Sequence, residues 1–307
     1  MDSIAVVDLT RPLDELADKL GRSFSEYGFA VIRNHGIPAD LIGRVEEMQK
    51  ALFELPEEVK KSYEIPGGGG ARGYTPFGKE IAKDAEVHDL KEFWHIGRSL
   101  PEGHELADTM APNVWPRELP GFKATMEEVY AAFEKAGDRI LRAIALHLRL
   151  AEDYFVPTVK DGNSVMRLLH YPPLPDDAPE GAVRAAAHGD INTITLLLGA
   201  EEAGLELLTK QGDWLAVDVP EGALVVNVGD MLDRLTNSHL RSTTHRVVNP
   251  AGDAARRSRY SMPFFLHFRP DFLIDPLPAF VNEGDSPPPP ITAHDYLQQR
   301  LREIGLA

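Results

Sequence analysis

Two histidines and one aspartate have the residue types and spacing of an iron site. His188 and Asp190 are two positions apart at the start of residues 188–198, a run that becomes rich in β-branched and aliphatic residues. Such a run predicts a strand, and residues two apart on a strand project from the same face. His245 opens a second strand-like run 57 positions after His188. Two imidazoles and one carboxylate on one side of a cation form a ligand set typical of non-haem Fe(II).

An arginine and a serine follow with the same spacing of two residues. Arg259 and Ser261 belong to a strand-like run, residues 259–265, in which Tyr260 faces the other way. The planar guanidinium of arginine matches a carboxylate with two hydrogen bonds, and a serine hydroxyl adds a third. The pair therefore predicts a carboxylate-binding position near the metal.

The order and spacing of these motifs resemble those of the Fe(II)/2-oxoglutarate-dependent oxygenases, in the branch that includes isopenicillin N synthase. The resemblance covers nearly the whole chain, over residues 4–270. Further segments that resemble the family are GFAVIRNHGIP at residues 28–38, YPP at residues 171–173, GALVVNVGD at residues 222–230 and HRVV at residues 245–248.

The resemblance implies a reaction and a role for each motif. Fe(II) would bind His188, Asp190 and His245, while Arg259 and Ser261 would hold the distal carboxylate of 2-oxoglutarate. The implied reaction consumes O₂ and converts 2-oxoglutarate to succinate and CO₂ while a small-molecule substrate is hydroxylated, desaturated or cyclised. The protein's share is to hold the ligands, orient the substrate and exclude water.

Two more residues are candidates for the 2-oxoglutarate site. Strand parity over residues 164–171 places Arg167, Leu169 and Tyr171 on one face. The resemblance implies that Tyr171 contacts 2-oxoglutarate, and Arg167 on the same face could also reach a carboxylate. The sequence departs from the family here, because Leu169 and His170 stand where an Asn-Tyr pair is common.

The substrate pocket is less well defined by the sequence. In the family that the chain resembles, N-terminal segments line this pocket, which makes candidates of Arg72, Tyr74, Glu92, Phe93 and Trp94. Residues 91–95 have the composition of a strand, on which Glu92 and Trp94 would share a face. A glutamate beside aromatic rings would suit a cationic or amino-acid-like substrate, which is our hypothesis from the sequence.

The pattern of elements predicts a mainly β fold with flanking helices. We expect a double-stranded β-helix core (a jelly roll of the cupin-like type) over residues 161–270. Residues 1–120 would form an N-terminal α/β segment that lines the substrate pocket, and residues 121–160 a long backing helix, since apolar residues recur at helical spacing. Residues 271–307 would form a tail and a final helix capped by Thr292. Four consecutive glycines at residues 67–70 predict a loop near the mouth of the site.

Composition limits the possible partners. The net charge is −16, with 48 acidic and 32 basic residues, which disfavours nucleic acid and anionic membrane surfaces as partners. No apolar run is long enough to span a bilayer, and the N-terminus does not have the pattern of a signal peptide. Cysteine is absent, which excludes disulfides and thiolate metal ligands. A cytoplasmic protein is the simplest expectation, and the oligomeric state is not specified by the sequence.

Two alternatives to this function remain open at the level of sequence. A related iron oxidase or ethylene-forming enzyme could use the same Arg259 and Ser261 to hold another carboxylate. A non-catalytic, metal-binding jelly roll could act as a small-molecule sensor. Among the eleven histidines, His239 is the main rival of His245 as a ligand, but it falls in a turn, and we expect His35 to be structural.

Overall fold

The computed structural model describes residues 4–66, 71–79, 90–174, 183–199, 204–250 and 252–303. The strands are β1 (Ala5–Asp8), β2 (Phe29–Arg33), β3 (Gly73–Thr75), β4 (Glu92–Gly97), β5 (Val165–Tyr171), β6 (Ala185–His188), β7 (Ile194–Leu198), β8 (Leu205–Leu208), β9 (Trp214–Ala216), β10 (Leu224–Val228), β11 (His245–Val247), β12 (Arg259–Leu266), β13 (Leu273–Ile274) and β14 (Ile291–Thr292). The helices are α1 (Leu13–Glu26), α2 (Ala39–Phe53), α3 (Glu57–Lys61), α4 (Phe122–His147), α5 (Val156–Val159), α6 (Asp230–Leu235) and α7 (Ala293–Glu303). The glycine run at residues 67–70 lies outside the described ranges.

The strands form two main sheets. The larger sheet has the order β1-β2-β10-β7-β12-β5-β4-β3, and the smaller has the order β6-β11-β8-β9. From β5 to β12 the chain passes back and forth between the sheets, and neighbouring strands in this part are antiparallel. This arrangement is a double-stranded β-helix, so the predicted jelly-roll fold is confirmed.

The larger sheet has an inner face, toward the smaller sheet, and an outer face, covered by helices. On the inner face, Phe29, Val31 and Val225 form one apolar cluster with residues of the smaller sheet, among them Leu205 and Leu207. Residues of the outer face belong to the main core instead, including Trp94, Met166, Leu168, Leu196 and Phe264. Because strand residues alternate between faces, the strand register assigns every residue of β4, β5, β7, β10 and β12 to one face or the other.

The long helix α4 covers the outer face. The Phe133 and Phe264 rings stack with centroids 5.2 Å apart, and Tyr130 meets Phe264 edge-on at 4.9 Å. Helix α1 packs against α4. Burying a phenylalanine side chain fully contributes roughly 1.5–3 kcal/mol, so this layer holds the larger sheet firmly in place. The sequence predicted one backing helix over residues 121–160; α4 ends at His147 and is followed by the short, separate helix α5.

The N-terminal part of the chain extends both edges of the larger sheet. Strand β2 pairs with β1 on one side and with β10 on the other. At the opposite edge, β4 joins β5 and is followed by β3. Residues that precede α4 in sequence are therefore integrated into the same sheet as the jelly-roll strands β5, β7, β10 and β12.

The prediction of one continuous strand over residues 188–198 is wrong. Strand β6 ends at His188 in the smaller sheet, and β7 begins at Ile194 in the larger one. The five intervening residues include Asn192, whose side chain is hydrogen-bonded to Thr195. Local side-chain bonding of this kind competes with strand pairing. Asp190 therefore lies on the connection between the two sheets.

The C-terminal segment packs beside this connection. The hydroxyl of Thr292 accepts a hydrogen bond from the Asp295 backbone N–H at 3.0 Å, which confirms Thr292 as the predicted cap of α7. Arg300 of α7 forms an ion pair of 3.3 Å with Asp230, whose backbone N–H donates to the Asp190 carbonyl. Among the described residues, no helix is both long enough and apolar enough to cross a membrane.

Candidate metal centre

The three predicted metal ligands converge between the two sheets. Strands β6 and β11 are neighbours, and His188 lies directly opposite His245 with ring centroids 4.4 Å apart. The Oδ1 atom of Asp190 is 4.0 Å from the Nε2 atoms of both histidines. One ligand atom from each residue lies within 4.8 Å of the other two. His188 is on the open side, with 36% of its side chain exposed, against 9% for His245.

Backbone carbonyls orient both imidazoles. The Nδ1–H of His188 donates to the Ala186 carbonyl at 2.7 Å, and that of His245 donates to the Thr243 carbonyl at 3.1 Å. A carbonyl only accepts, so Nδ1 carries the proton in each ring and the lone pair is on Nε2. Both Nε2 atoms are therefore available to bind a metal ion. Phe29 packs edge-on against His245 at 5.3 Å and limits its rotation.

Two side chains of the larger sheet orient Asp190. Its Oδ2 atom accepts a hydrogen bond from the Thr195 hydroxyl at 2.5 Å and one from the Asn227 amide at 2.8 Å. Thr195 and Asn227 are directly opposite each other on β7 and β10. Since Oδ2 is occupied, Oδ1 is the atom presented to the two histidines. This division leaves one oxygen for a metal and one for the protein.

The protonation states favour cation binding at neutral pH. Desolvation by the surrounding protein, and then the adjacent His245, lower the pKa of His188, so its ring is neutral at pH 7. Burial alone would raise the pKa of Asp190, but the two imidazoles and the hydrogen bonds from Asn227 and Thr195 outweigh it and lower that pKa. Two imidazole nitrogens and one carboxylate oxygen are the donor set that non-haem Fe(II) takes in facial sites. The residues present therefore fit Fe(II).

A buried arginine on the inner face fits a carboxylate. Arg259 is 2% exposed, Ser261 is 4% exposed, and both project from the inner face of β12. The buried Nε and Nη1 atoms of Arg259 have no hydrogen-bond partner, and no acid among the described residues pairs with it. Tyr171 lies directly opposite on β5, with its ring centroid 5.2 Å from the guanidinium. A buried guanidinium without an anion is costly, and the distal carboxylate of 2-oxoglutarate would satisfy it.

Comparison with known proteins decides the family. Residues 4–118 match the family described as non-haem dioxygenase in morphine synthesis, N-terminal, and residues 162–268 match the 2OG-Fe(II) oxygenase superfamily. A 2-oxoglutarate-Fe(II) type oxidoreductase of Emericella nidulans is 35% identical over 299 residues, which cover 94% of this chain and 84% of the relative. The chain belongs to the 2OG-Fe(II) oxygenase superfamily.

Solved structures of this superfamily have the same fold as the oxygenase described here. A crystal structure of a 2OG-Fe(II) oxygenase family protein from Caulobacter crescentus has a TM-score of 0.92 at 51% identity, covering 99% of this chain and 100% of that one. A full-length protein of Neurospora crassa, solved in complex with alpha-KG (2-oxoglutarate) and thymine, has a TM-score of 0.86 at 30% identity, covering 97% and 96%. The predicted enzyme class and its use of iron and 2-oxoglutarate are thereby confirmed, against the alternative of a non-catalytic sensor.

Arg167 lies on the same inner face as Tyr171, as strand parity predicted, but its contacts are different. Its guanidinium stacks on Phe93 at 4.2 Å from the ring centroid, and its Nε–H donates to Nε2 of His95 at 2.6 Å. A different arginine is beside Tyr171. Arg184 is fully buried, with its guanidinium 5.7 Å from that ring. A role for Arg167 in holding 2-oxoglutarate stays a prediction.

The structure separates the five predicted substrate residues into two groups. Phe93 lies on the inner face, and Arg72 lies against the inner face of Gly97. Glu92 and Trp94 share a face, as expected, but it is the outer face, and Tyr74 is directly opposite Trp94 on that face.

The carboxylate of Glu92 already has partners on the outer face. It accepts hydrogen bonds from Lys60 at 2.8 Å, the Tyr74 hydroxyl at 2.5 Å and His170 at 2.7 Å. The hypothesis of a cationic substrate bound by Glu92 does not fit this geometry, because the larger sheet separates Glu92 from the predicted metal ligands.

Two other histidines, His35 and His239, have contacts that agree with the sequence analysis. The Nε2–H of His35 donates to the Gly222 carbonyl at 2.9 Å, and its Nδ1 accepts from the Ile37 backbone N–H at 3.2 Å, so His35 links two loops. His239 stacks on Phe280 at 4.5 Å, and it does not belong to the cluster of potential ligands.

Several site residues were missed in the sequence. Thr195 and Asn227 are polar residues at inward positions of strands that are otherwise apolar. A polar residue at such a position was a usable signal of a functional role. Arg184 and His267 had no such signal, because each is adjacent to irregular chain whose path the sequence does not define.

Proposed function

We propose that this oxygenase binds Fe(II) through Nε2 of His188, Nε2 of His245 and Oδ1 of Asp190. The observation that supports the proposal is the joint orientation of these three atoms, since a hydrogen bond elsewhere in the same side chain fixes each of them. In the same site, Arg259, Ser261 and Tyr171 hold the distal carboxylate of 2-oxoglutarate. The formal charges of Fe(II), Asp190, the 2-oxoglutarate dianion and Arg259 cancel, which a buried site tolerates.

When bound, Fe(II) with 2-oxoglutarate and O₂ supplies an oxidant, and succinate and CO₂ are released as a C–H bond of a small organic molecule is oxidised. The residues of the chain position the reactants. Arg259 fixes one end of 2-oxoglutarate so that the other end faces the ligand atoms. The hydrogen bonds from Thr195 and Asn227 hold the Asp190 carboxylate in its orientation. Phe29 shields His245 from water. The partly exposed side of His188 is the side from which the substrate approaches.

The relatives support a small molecule as substrate, since the Neurospora crassa protein was solved in complex with thymine. The net charge of −16 supports the further inference that nucleic acid and anionic membranes are not partners. We place the enzyme in the cytoplasm, and a composition without cysteine is compatible with that compartment.

The test is an anaerobic titration of the protein with Fe(II) and 2-oxoglutarate, in which the chelate produces a weak visible absorption band. We expect the band with the wild type and its loss in His245→Ala. The variant His239→Ala is the matched control, since it removes an imidazole six residues away and should keep the band. Succinate release coupled to O₂ uptake then separates this function from an oxidase that does not consume 2-oxoglutarate. A band that survives in His245→Ala, or that is lost in His239→Ala, contradicts the ligand assignment.

A further inference from the structure

A second group of polar side chains lies on the inner face of the larger sheet, apart from Arg259. Phe93, His95 and Gly97 share this face on β4, and Arg167 is directly opposite His95 on β5. Phe265 of β12 is directly opposite Thr195, the residue that holds Asp190. Phe265 is therefore on the strand next to β7, and the other members of the group are on the next two strands of the sheet, β5 and β4.

Arg72 is the most deeply buried cation of this group. It is 3% exposed, and its guanidinium occupies the space over Gly97, where a Cβ on that glycine would overlap it. Because Gly97 has no side chain, the guanidinium of Arg72 can occupy this space. The terminal nitrogens of Arg72 reach the Ala71 carbonyl at 2.7 Å and Oδ1 of Asn163 at 3.4 Å.

The charge of Arg72 is not balanced by the part of the chain that the structure describes. Its buried Nε atom has no hydrogen-bond partner, and no carboxylate in the described ranges forms an ion pair with it. Burial lowers the pKa of Arg72, as expected for a cation without a nearby anion. A buried charge of this kind is costly to keep, and a ligand that brings a negative charge removes that cost.

His267 is a buried histidine that interacts electrostatically with both Arg72 and Asp190. It follows β12 directly, is 7% exposed, and its imidazole makes no hydrogen bond with the described residues. Burial lowers its pKa to about 4, with Asp190 acting in the opposite direction and Arg72 in the same direction. His267 is therefore neutral at pH 7 and has one N–H and one lone pair to offer a ligand.

Aromatic rings form the apolar part of the same region. Arg167 stacks between Phe93 at 4.2 Å and Phe265 at 5.4 Å from the two ring centroids. Arg167 and Phe265 are only half-buried, so this part of the inner face is open to a ligand. Aromatic walls with a few polar groups at fixed positions are typical of small-molecule pockets.

We propose that the substrate of this oxygenase is a small organic acid, whose carboxylate is bound by Arg72 with a hydrogen bond from His267. Its carbon skeleton lies against Phe93 and Phe265, so that the carbon to be oxidised faces the iron ligands. The proposal rests on the proposed function and specifies its substrate class. It replaces the cationic substrate that the sequence suggested, because the unbalanced charge on the inner face is positive and Glu92 lies on the other face.

The test compares acids with neutral compounds of the same shape. Phenylacetate and phenylacetamide, and hexanoate and hexanamide, are titrated by calorimetry into the anaerobic protein loaded with Fe(II) and 2-oxoglutarate. We expect each acid to bind at least ten-fold more tightly than its amide. Arg72→Met keeps the length of the side chain and should abolish this preference. Gly97→Ala, which displaces the guanidinium of Arg72, should do the same, and it provides a second test if Arg72→Met does not fold.

Arg44→Met is the matched control, because Arg44 of α2 is an exposed arginine that forms an ion pair with Glu128 of α4. This variant should leave the preference for acids unchanged. The proposal is overturned if acids and amides bind equally, if neither binds, or if the preference for acids survives in Arg72→Met. If the wild type shows no visible absorption band with Fe(II) and 2-oxoglutarate, that result counts against the proposed function itself. A normal band without acid preference would count against the organic-acid proposal alone.

Discussion

Replacing Glu92 by alanine should lower the stability of the folded protein without changing the chemistry of the site. Glu92 and Lys60 form an ion pair of 2.8 Å, with only 7% and 9% of their side chains exposed. Removing one partner of a buried pair leaves the other charge uncompensated and costs about 3–5 kcal/mol. At about 2 °C per kcal/mol for a chain of this length, the melting temperature should fall by roughly 6–10 °C.

The assay measures thermal unfolding and substrate turnover on the same samples. The Lys60→Met/Glu92→Leu double variant serves as the control, since it removes both charges and should recover more than half of the lost stability. Turnover by the folded fraction of Glu92→Ala should stay within about two-fold of the wild type, because the outer face does not contact the substrate.

A different outcome would contradict the assignment of faces. If Glu92→Ala unfolded at the wild-type temperature but lost turnover selectively, Glu92 would contact the substrate after all. The strand register that places it with Tyr74 and His170 would then be wrong. If the double variant were less stable than Glu92→Ala, the cost would come from lost packing and not from the unpaired charge of Lys60.

Four further outcomes are expected. Asn227→Ala removes one of the two hydrogen bonds to Oδ2 of Asp190 and should weaken iron affinity about 10–100-fold in an Fe(II) titration. Arg259→Lys replaces a two-pronged donor by a single point charge and should raise the KM for 2-oxoglutarate by roughly two orders of magnitude in a succinate assay. Chelation of iron should lower the melting temperature, since a metal at about 100 times its Kd stabilises the folded state by about 2.7 kcal/mol. Burial alone would raise the pKa of Glu92, but His170, Lys60 and Tyr74 lower it. Its carboxylate therefore stabilises the fold above the unfolded pKa of about 4.3, and this is lost as the pH falls through the lower folded pKa. The stability difference between wild type and Glu92→Gln should accordingly shrink below about pH 4 in urea titrations.

The fold class and the candidate metal ligands were predictable because the motifs that indicate them are short segments of the sequence. Side chains alternate between the two faces along β12, so the common face of Arg259 and Ser261 was predictable. The helix α4 follows from apolar residues at helical spacing. The capping role of Thr292 follows from its position directly before a helical run.

The face on which a residue lies was predictable only where one face is polar. All six residues of β4 are buried, because helices cover its outer side and the jelly-roll interior its inner side. Such a strand has no polar alternation to mark the interior. The sequence could therefore place Glu92 and Trp94 on a common face but could not say which one. The partners of Glu92 come from α3, β3 and β5, and these long-range contacts have no local signature.

The position of Asp190 was predicted for a reason that is only partly right. His188 and Asp190 do not share the face of one strand, because β6 ends at His188 and the chain then crosses to the other sheet. They converge because His188 and His245 are fixed by the smaller sheet, while Thr195 and Asn227 of the larger sheet hold Asp190. The proposed metal ligands are thus held in place by both sheets, and a bound cation would link the sheets. Any change in the spacing of the two sheets would alter the distance from Oδ1 of Asp190 to both imidazoles at once, which ties iron affinity to the packing of the whole jelly roll.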